Sequence, residues 1–330
     1  MNKDVVLLLV AGAAVLQAAA PPPKPGVNTP GVKIPIERLK PEAVYDVPGH
    51  PDWLAIDTVN TMVWVSNEPK NTVSRLDPKS NAVTTITVGK EPCSGLAADF
   101  GSLWVPNCGD KTISRVDLKS TAITATMKSG IGESEGSIVA GADSVWIMTD
   151  AKGTLARIDP ATNTVVAEIY VPQGSYGLAL GEGSVWVTST AHDSVTRVDP
   201  QTNLIVETIS VGKAPRFVTA GLGAVWTLNQ GDGSVSRIDP KTNKVAATIE
   251  VGVPGGGGEI SAGEGSVWVT AFQFPLSRID PATNTVVQQF FGEGGDSVRA
   301  GLGSVWLSNL RAGNVWRLDP KRIAATVATP

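Results

Sequence analysis

Apolar and polar positions along this chain alternate in short runs and form no long helical stripe. The runs Ser184-Val185-Trp186-Val187-Thr188 and Lys244-Val245-Ala246-Ala247-Thr248-Ile249-Glu250-Val251 are representative. Period-two alternation rich in Val, Ile and Thr predicts half-buried β-strands. Turn residues punctuate them, as in Gly181-Glu182-Gly183, Ala191-His192-Asp193 and Asp199-Pro200-Gln201-Thr202-Asn203. One unit therefore reads as four strands, a to d: 177–180, 184–188, 194–198 and 204–211.

The unit repeats. Tryptophans stand at Trp64, Trp104, Trp146, Trp186, Trp226, Trp268 and Trp306, spaced by 40, 42, 40, 40, 42 and 38 residues. Ten or eleven residues after each comes Arg75, Arg115, Arg157, Arg197, Arg237, Arg278 or Arg317, and an Asp two residues further on. A period near 40 residues with four strands per period predicts a propeller, because such a sheet can bury both faces only by stacking on neighbours. A solenoid would need atypical end repeats, and these stay uniform. The expected fold is all-β: a seven-bladed β-propeller of four-stranded antiparallel blades, occupying residues 41–330. Ala43–Val47 resembles a strand d without a blade of its own, so the ring is expected to close by an N-terminal strand completing the last blade. Ile323–Val327 is the rival for that place. The recurrent Trp is expected between blades, the Arg on buried carbonyls or carboxylates between blades, and the Asp in a tight turn.

Residues 1–20 read as an export signal or anchor. Lys3 precedes an apolar core over Val5–Val15, and Ala18-Ala19-Ala20 offers a cleavage site, with Asp4 and Pro21 departing from the usual pattern. Residues 21–40, rich in Pro and Gly, read as an extended linker. The expected location is extracytoplasmic, periplasmic or secreted, with membrane contact only through an uncleaved signal segment. A net charge of −4 speaks against a nucleic-acid partner, which would demand a basic patch. No phosphate loop, dinucleotide fingerprint, zinc-protease helix or nucleophile elbow occurs.

In a propeller, strand a lines the axis, and the d–a and b–c loops share one face. Function is expected there, since loops on a rigid scaffold vary freely. The columns just before and at the start of strand a bring together Trp53, Tyr176, Arg216, Phe217, Glu259 and Asp296 as candidate ligand-binding residues. Arg299 lies on strand a itself and either meets an anionic ligand or pairs with Asp296 or Glu259. His50 and His192, the only histidines, fall on loops of the same face and read as solvated or as a general base or metal ligand. Pairing the second hairpin through Leu96 and Val105 sets Cys93 opposite Cys108. That predicts a disulfide, the alternative being a reactive dithiol.

Gly183-Ser184-Val185-Trp186-Val187-Thr188, Ser194-Val195-Thr196-Arg197-Val198-Asp199-Pro200 and Thr162-Asn163-Thr164-Val165-Val166 resemble the YVTN-type β-propeller repeat. They are also similar to the streptogramin lyase-like (virginiamycin B lyase-like) propellers. The resemblance covers residues 43–320. For the lyases it implies a ring of Trp-Phe-Thr-Glu strand ends whose Glu residues hold magnesium, with a His as general base. The corresponding positions here are Asn67, Asn107, Thr149, Ser189, Asn229, Ala271 and Asn309, none a carboxylate, and only His50 lies just before a strand a. No residue is therefore assigned a catalytic or metal-binding role, and no cofactor is expected except magnesium under the lyase alternative. The leading expectation is a binding or scaffold module for a small molecule, a glycan or an envelope protein. The alternatives are a streptogramin lyase-like lyase or hydrolase with a divalent metal at the channel mouth, and a purely structural envelope protein.

Overall fold

The computed structural model describes residues 29–93, 95–128, 137–252, 254–255, 257–271 and 273–327. The expected signal segment, 1–20, lies outside them. The repeat folds as its period requires, into seven four-stranded antiparallel blades. Blade 1 spans 51–87, blade 2 97–127, blade 3 138–170, blade 4 175–210, blade 5 215–250, blade 6 260–291 and blade 7 298–318. In blade 5, strands a to d are Pro215–Gly221, Ala224–Asn229, Ser234–Asp239 and Lys244–Glu250.

Each blade tryptophan is fully buried and packs into the next blade of the ring. Trp104 sits with Val145 and Ile147 of blade 3, Trp146 with Val185 and Val187 of blade 4, and Trp306 with Val63 and Val65 of blade 1. In blades 1 to 5 and 7 the arginine of the same blade lies over its ring, as at Arg115 over Trp104 (4.7 Å) and Arg237 over Trp226 (5.0 Å). Its Nη1 then reaches across to the Asp-Pro-x-Thr-Asn turn of the next blade. Arg197 donates to the Pro240 carbonyl (2.6 Å) and to Asn243 Oδ1 (2.7 Å); Arg237 donates to the Pro281 carbonyl (2.7 Å) and to Asn284 Oδ1 (2.8 Å).

The turn explains its own sequence. Asp199 accepts the backbone N–H of Gln201, and Asn203 takes a left-handed φ of 61° that asparagine tolerates better than most residues. The backbone N–H two residues on holds the Asp159, Asp199 and Asp239 carboxyls below their ordinary range. Blade 2 has Thr121 in the asparagine position, and there Arg75 donates instead to the backbone carbonyls of Leu118 and Lys119.

The N-terminal strand closes the ring. Ala43–Asp46 pairs antiparallel with Asn314–Leu318 and supplies strand d of blade 7. The rival segment forms a short helix instead, Pro320–Ala325, capped by Asp319 accepting from Lys321 N–H. That helix replaces the turn that Arg278 would otherwise meet. Gln288 fills the gap: its Oε1 accepts from Arg278 Nη1 (3.2 Å), and its Nε2 donates to the carbonyls of Ile323 and Thr326 (both 2.6 Å).

One boundary moves. The segment expected as linker to residue 40 joins the body from Val32 onward: Lys33–Pro35 pairs parallel with the outer strand of blade 6, and Val32, Ile34, Ile36 and Leu39 are buried. These residues alternate apolar and polar, but the Pro- and Gly-rich composition around them masks the pattern.

The expected disulfide forms between Cys93 and Cys108, with Cα atoms 5.8 Å apart. The register that predicts it does not persist to the cysteines. Ala97 faces Trp104, but Pro92 bridges Asn107, so the ladder slips by two residues between them and the cysteines meet diagonally. The bond spans a sequence separation of 15, a loop size for which chain-entropy arguments give about 3 kcal/mol. Thermal unfolding with and without a phosphine reductant is expected to show a clear loss of melting temperature on reduction. A Cys93→Ser/Cys108→Ser variant should match the reduced protein and be indifferent to reductant.

Candidate functional site

Strand a of every blade faces the central channel, and its N-terminal end meets the loops of one face. The local fold there is a bulge. Register slips between Pro51 and Leu54, Ser175 and Leu178, and Pro215 and Phe217, which takes backbone N–H groups out of the ladder. In blades 1, 4, 6 and 7 a hydroxyl two residues after the blade tryptophan accepts an N–H at this point. Ser66 takes that of Trp53 (3.1 Å), Thr188 that of Gly177 (2.9 Å), Thr270 that of Glu259 (2.7 Å) and Ser308 that of Ser297 (2.9 Å). The Thr188 and Thr270 hydroxyls donate onward to the carbonyls of Arg216 (3.0 Å) and Asp296 in the following blade. Candidate residues of neighbouring blades are thus tied together through backbone.

Trp53 of blade 1 meets Phe217 of blade 5 in the channel, ring centroids 5.8 Å apart and tilted by 54°. The guanidinium of Arg299 lies 5.8 Å from the Trp53 centroid and forms an ion pair with Glu259. The Glu259 carboxylate also accepts the Ser297 hydroxyl and the Val298 N–H (3.2 Å). Burial pushes its pKa up from the ordinary carboxylate value, while Arg299, Ser297 and the Val298 N–H pull the other way. Of the two pairings open to Arg299 from sequence, the structure selects Glu259.

Two cavities adjoin this cluster. The channel cavity, about 360 Å³, is lined by strand-a residues, among them Ala97, Val139, Leu178 and Val218, together with Trp53, Phe217, Glu259 and Arg299. The second, about 190 Å³, lies among His50, Asp52, Glu68, Asp296 and Leu310. Trp53 and Glu259 wall both.

The structure brings most of the sequence-predicted residues to this place. Trp53, Phe217, Glu259 and Arg299 line the channel cavity, and His50 and Asp296 the second. Tyr176 and Arg216 form an outer layer: the Arg216 guanidinium lies 5.3 Å from the Tyr176 ring and 5.7 Å from Phe217. His192 stands apart, exposed, with Nδ1 3.2 Å from both Ser189 Oγ and the Gln173 carbonyl. The two histidines do not share a cavity. Sequence reading missed Glu68 and Leu310, which follow strands b of blades 1 and 7 in loops whose reach into the channel mouth depends on ring geometry. In blade 1 the only sign was Glu68-Pro69 replacing the polar loop of other blades.

The positions that the lyase resemblance marks for metal carry no charged oxygen. Asn67 Oδ1 accepts the His50 N–H, Asn229 Oδ1 the Thr227 hydroxyl and Asn309 Oδ1 the Gly295 N–H, whereas Asn107 Oδ1 is buried without a hydrogen-bond partner among the described residues. Among the described residues no group of three His, Cys, Asp or Glu is disposed to hold a metal ion. This donor set does not suit magnesium, which requires carboxylate or phosphate oxygens in near-octahedral array.

No protein-family model matches the chain, and no curated protein matches it. Solved structures do. A catalytically inactive His-to-Ala variant of virginiamycin B lyase from Staphylococcus aureus with quinupristin superposes with a TM-score of 0.72 at 15% identity, over 84% of this chain and 98% of the lyase. The selenomethionine-substituted lyase from the same organism gives 0.72 at 16% identity over the same shares. A streptogramin B lyase gives 0.69 at 18%, over 84% and 96%. At this identity the likeness concerns architecture: the chain has the seven-bladed propeller fold seen in the streptogramin B lyases.

Proposed function

We propose that this protein is a ligand-binding propeller acting outside the cytoplasm, with its site at the channel mouth between Trp53, Phe217, Glu259 and Arg299. The observation that carries this reading is where the repeat breaks its own rule. Blade tryptophans, arginines and turn aspartates recur around the ring as stacking demands. At the start of strand a, in contrast, two aromatics from non-adjacent blades and one ion pair converge on two cavities. A ring of identical contacts has no structural need for such asymmetry, whereas a ligand does. The disulfide is in keeping with an oxidising compartment, and no helix among the described residues is long and apolar enough to cross a membrane.

Thermal unfolding across a panel of small metabolites, glycans and metal salts tests the reading. A ligand at 100 times its dissociation constant adds about 2.7 kcal/mol. The expected result is stabilisation by one compound class that EDTA does not reverse. Stabilisation by magnesium, undone by EDTA, would overturn it in favour of a metal-dependent lyase. Silence across the panel would point to a scaffold role.

A further inference from the structure

A third cavity, about 420 Å³, lies outside the channel, between the loop entering blade 7 (292–295) and the loop joining its second and third strands (310–312). In blades 2 and 5 two backbone hydrogen bonds close the equivalent loops: Cys108 and Gly109 donate to the carbonyls of Glu91 and Lys90, and Gln230 and Gly231 to those of Ala214 and Lys213. Among the described residues no backbone hydrogen bond joins the two loops of blade 7, and the cavity opens where that closure is missing. Trp316 is its one aromatic wall and its one residue from strand c. The repeat has no tryptophan at this position. The residue before the blade arginine is otherwise Ser74, Ser114, Ala156, Thr196, Ser236 or Ser277, each buried. In blade 5 its hydroxyl accepts the Gly212 N–H of the entering loop (3.2 Å), so this column points beneath that loop. In blade 7 an indole takes the place, packs against the apolar seam with blade 6 and stays partly exposed. Glu293 and Arg311, one on each loop, are exposed at the same cavity, and neither side chain has an ion-pair or hydrogen-bond partner among the described residues.

We propose that this cavity binds a neutral sugar, one C–H face of the pyranose lying on the Trp316 indole and its hydroxyls exchanging hydrogen bonds with Glu293 and Arg311. The site is separate from the channel mouth and does not rest on that reading. A pyranose carries an apolar C–H face and a rim of hydroxyls that both donate and accept. An indole flanked by one acceptor and one donor answers both features. One carboxylate and one guanidinium leave no net charge to select an anion or a cation. A zwitterion could meet both, but the two side chains are exposed, where ionic contacts contribute little. A wholly apolar ligand would take the two charges out of water without replacing their hydrogen bonds. The volume lies within the usual range for small-molecule sites.

Glucose, galactose, mannose and N-acetylglucosamine serve as probes, with glucosamine, glucuronate and leucine as ionic controls. In ¹H–¹⁵N spectra of the full chain, Trp316 is the indole signal absent from Trp316→Ser, a substitution that restores the residue of blades 1, 2, 5 and 6. Unaltered remaining indole signals verify that this variant folds. At least one of the neutral sugars should move the Trp316 signal saturably, and Trp316→Ser should weaken its binding about tenfold or more. Glu293→Gln and Arg311→Met, both at exposed positions, should each weaken it about fivefold, the scale of one hydrogen bond. Trp53→Phe should leave it unchanged, which separates this site from the channel mouth. Tighter binding of an ionic control, a sugar affinity indifferent to Trp316→Ser, or a Trp316 signal that none of the four sugars moves overturns the proposal. Each of those results leaves the channel-mouth reading as it stands.

Discussion

Arg299→Met is expected to destabilise the propeller by about 3 to 5 kcal/mol at neutral pH, the usual penalty for stranding one member of a buried ion pair. Methionine keeps most of the aliphatic stem over Trp53 but leaves the Glu259 carboxylate, 5% exposed, without its cation. The Arg299 side chain retains 27% exposure, so screening by water places the effect toward the lower end of that range. The pH dependence gives the mechanism away. Burial already raises the Glu259 pKa, and removing Arg299 raises it further. A carboxyl whose folded pKa exceeds its unfolded one contributes stability fully below the unfolded value, about 4.3, and loses it as pH climbs through the folded value. The gap between variant and parent should therefore be small near pH 4 and widest at neutral pH. Glu259→Gln in the Arg299→Met background should recover most of the loss at neutral pH. Chemical denaturation of the three proteins across pH measures all of this. Parallel curves for parent and Arg299→Met would mean that the pair contributes nothing.

A chain begun at residue 48 is expected to lose cooperative unfolding altogether, while one begun at residue 40 keeps it. The second lacks Lys33–Pro35, an added strand on the outside of blade 6. The first also lacks Ala43–Asp46, which leaves the third strand of blade 7 with a bare edge and opens the seam to blade 1. Tyr45 shows what that seam holds. It is 1% exposed, its ring lies 5.7 Å from that of Trp306, and its hydroxyl donates to Asn81 of blade 1 (3.1 Å). Beside it Arg317 reaches the Pro78 carbonyl (3.0 Å). Tyr45→Ala alone should cost about 3 to 5 kcal/mol, on the scale of large-to-small core changes, and Tyr45→Phe about 1 kcal/mol, for one hydrogen bond. Near-ultraviolet circular dichroism and thermal unfolding of the two truncated chains decide the matter. A sharp transition in the shorter one would show that six complete blades and a three-stranded seventh close without the latch.

The architecture was legible because it is enforced seven times. Trp64 to Trp306 must each fill the same space between blades, and Arg75 to Arg317 must each reach the same turn, so a packing requirement became a spacing. Even the latch could be read, since Ala43–Val47 matched a strand d that had no strands a to c before it. The strand at Lys33–Pro35 was hidden because its evidence is three alternating apolar residues, Val32, Ile34 and Ile36, against a Pro- and Gly-rich background. The site was half legible for a different reason. Column comparison found Trp53, Phe217, Glu259 and Arg299 as departures from the repeat. Which of them touch is fixed by distances across the ring, and no local pattern encodes these. The ion pair was one of two open pairings, and the approach of Trp53 to Phe217 across the ring is visible only once both have coordinates.

The position of the latch also sets a clock. Synthesis proceeds from the N-terminus, so Ala43–Asp46 emerges among the first residues of the folded body and its partner, Asn314–Leu318, among the last. Each inner blade can complete its own hairpins as it appears, since their contacts are local. Blade 7 has to wait for a strand made long before it. For nearly the whole of its manufacture the chain is thus an open arc with an unsatisfied edge at either end, the kind of edge that recruits foreign strands. Whatever holds that arc until the final strand arrives governs the yield of closed rings.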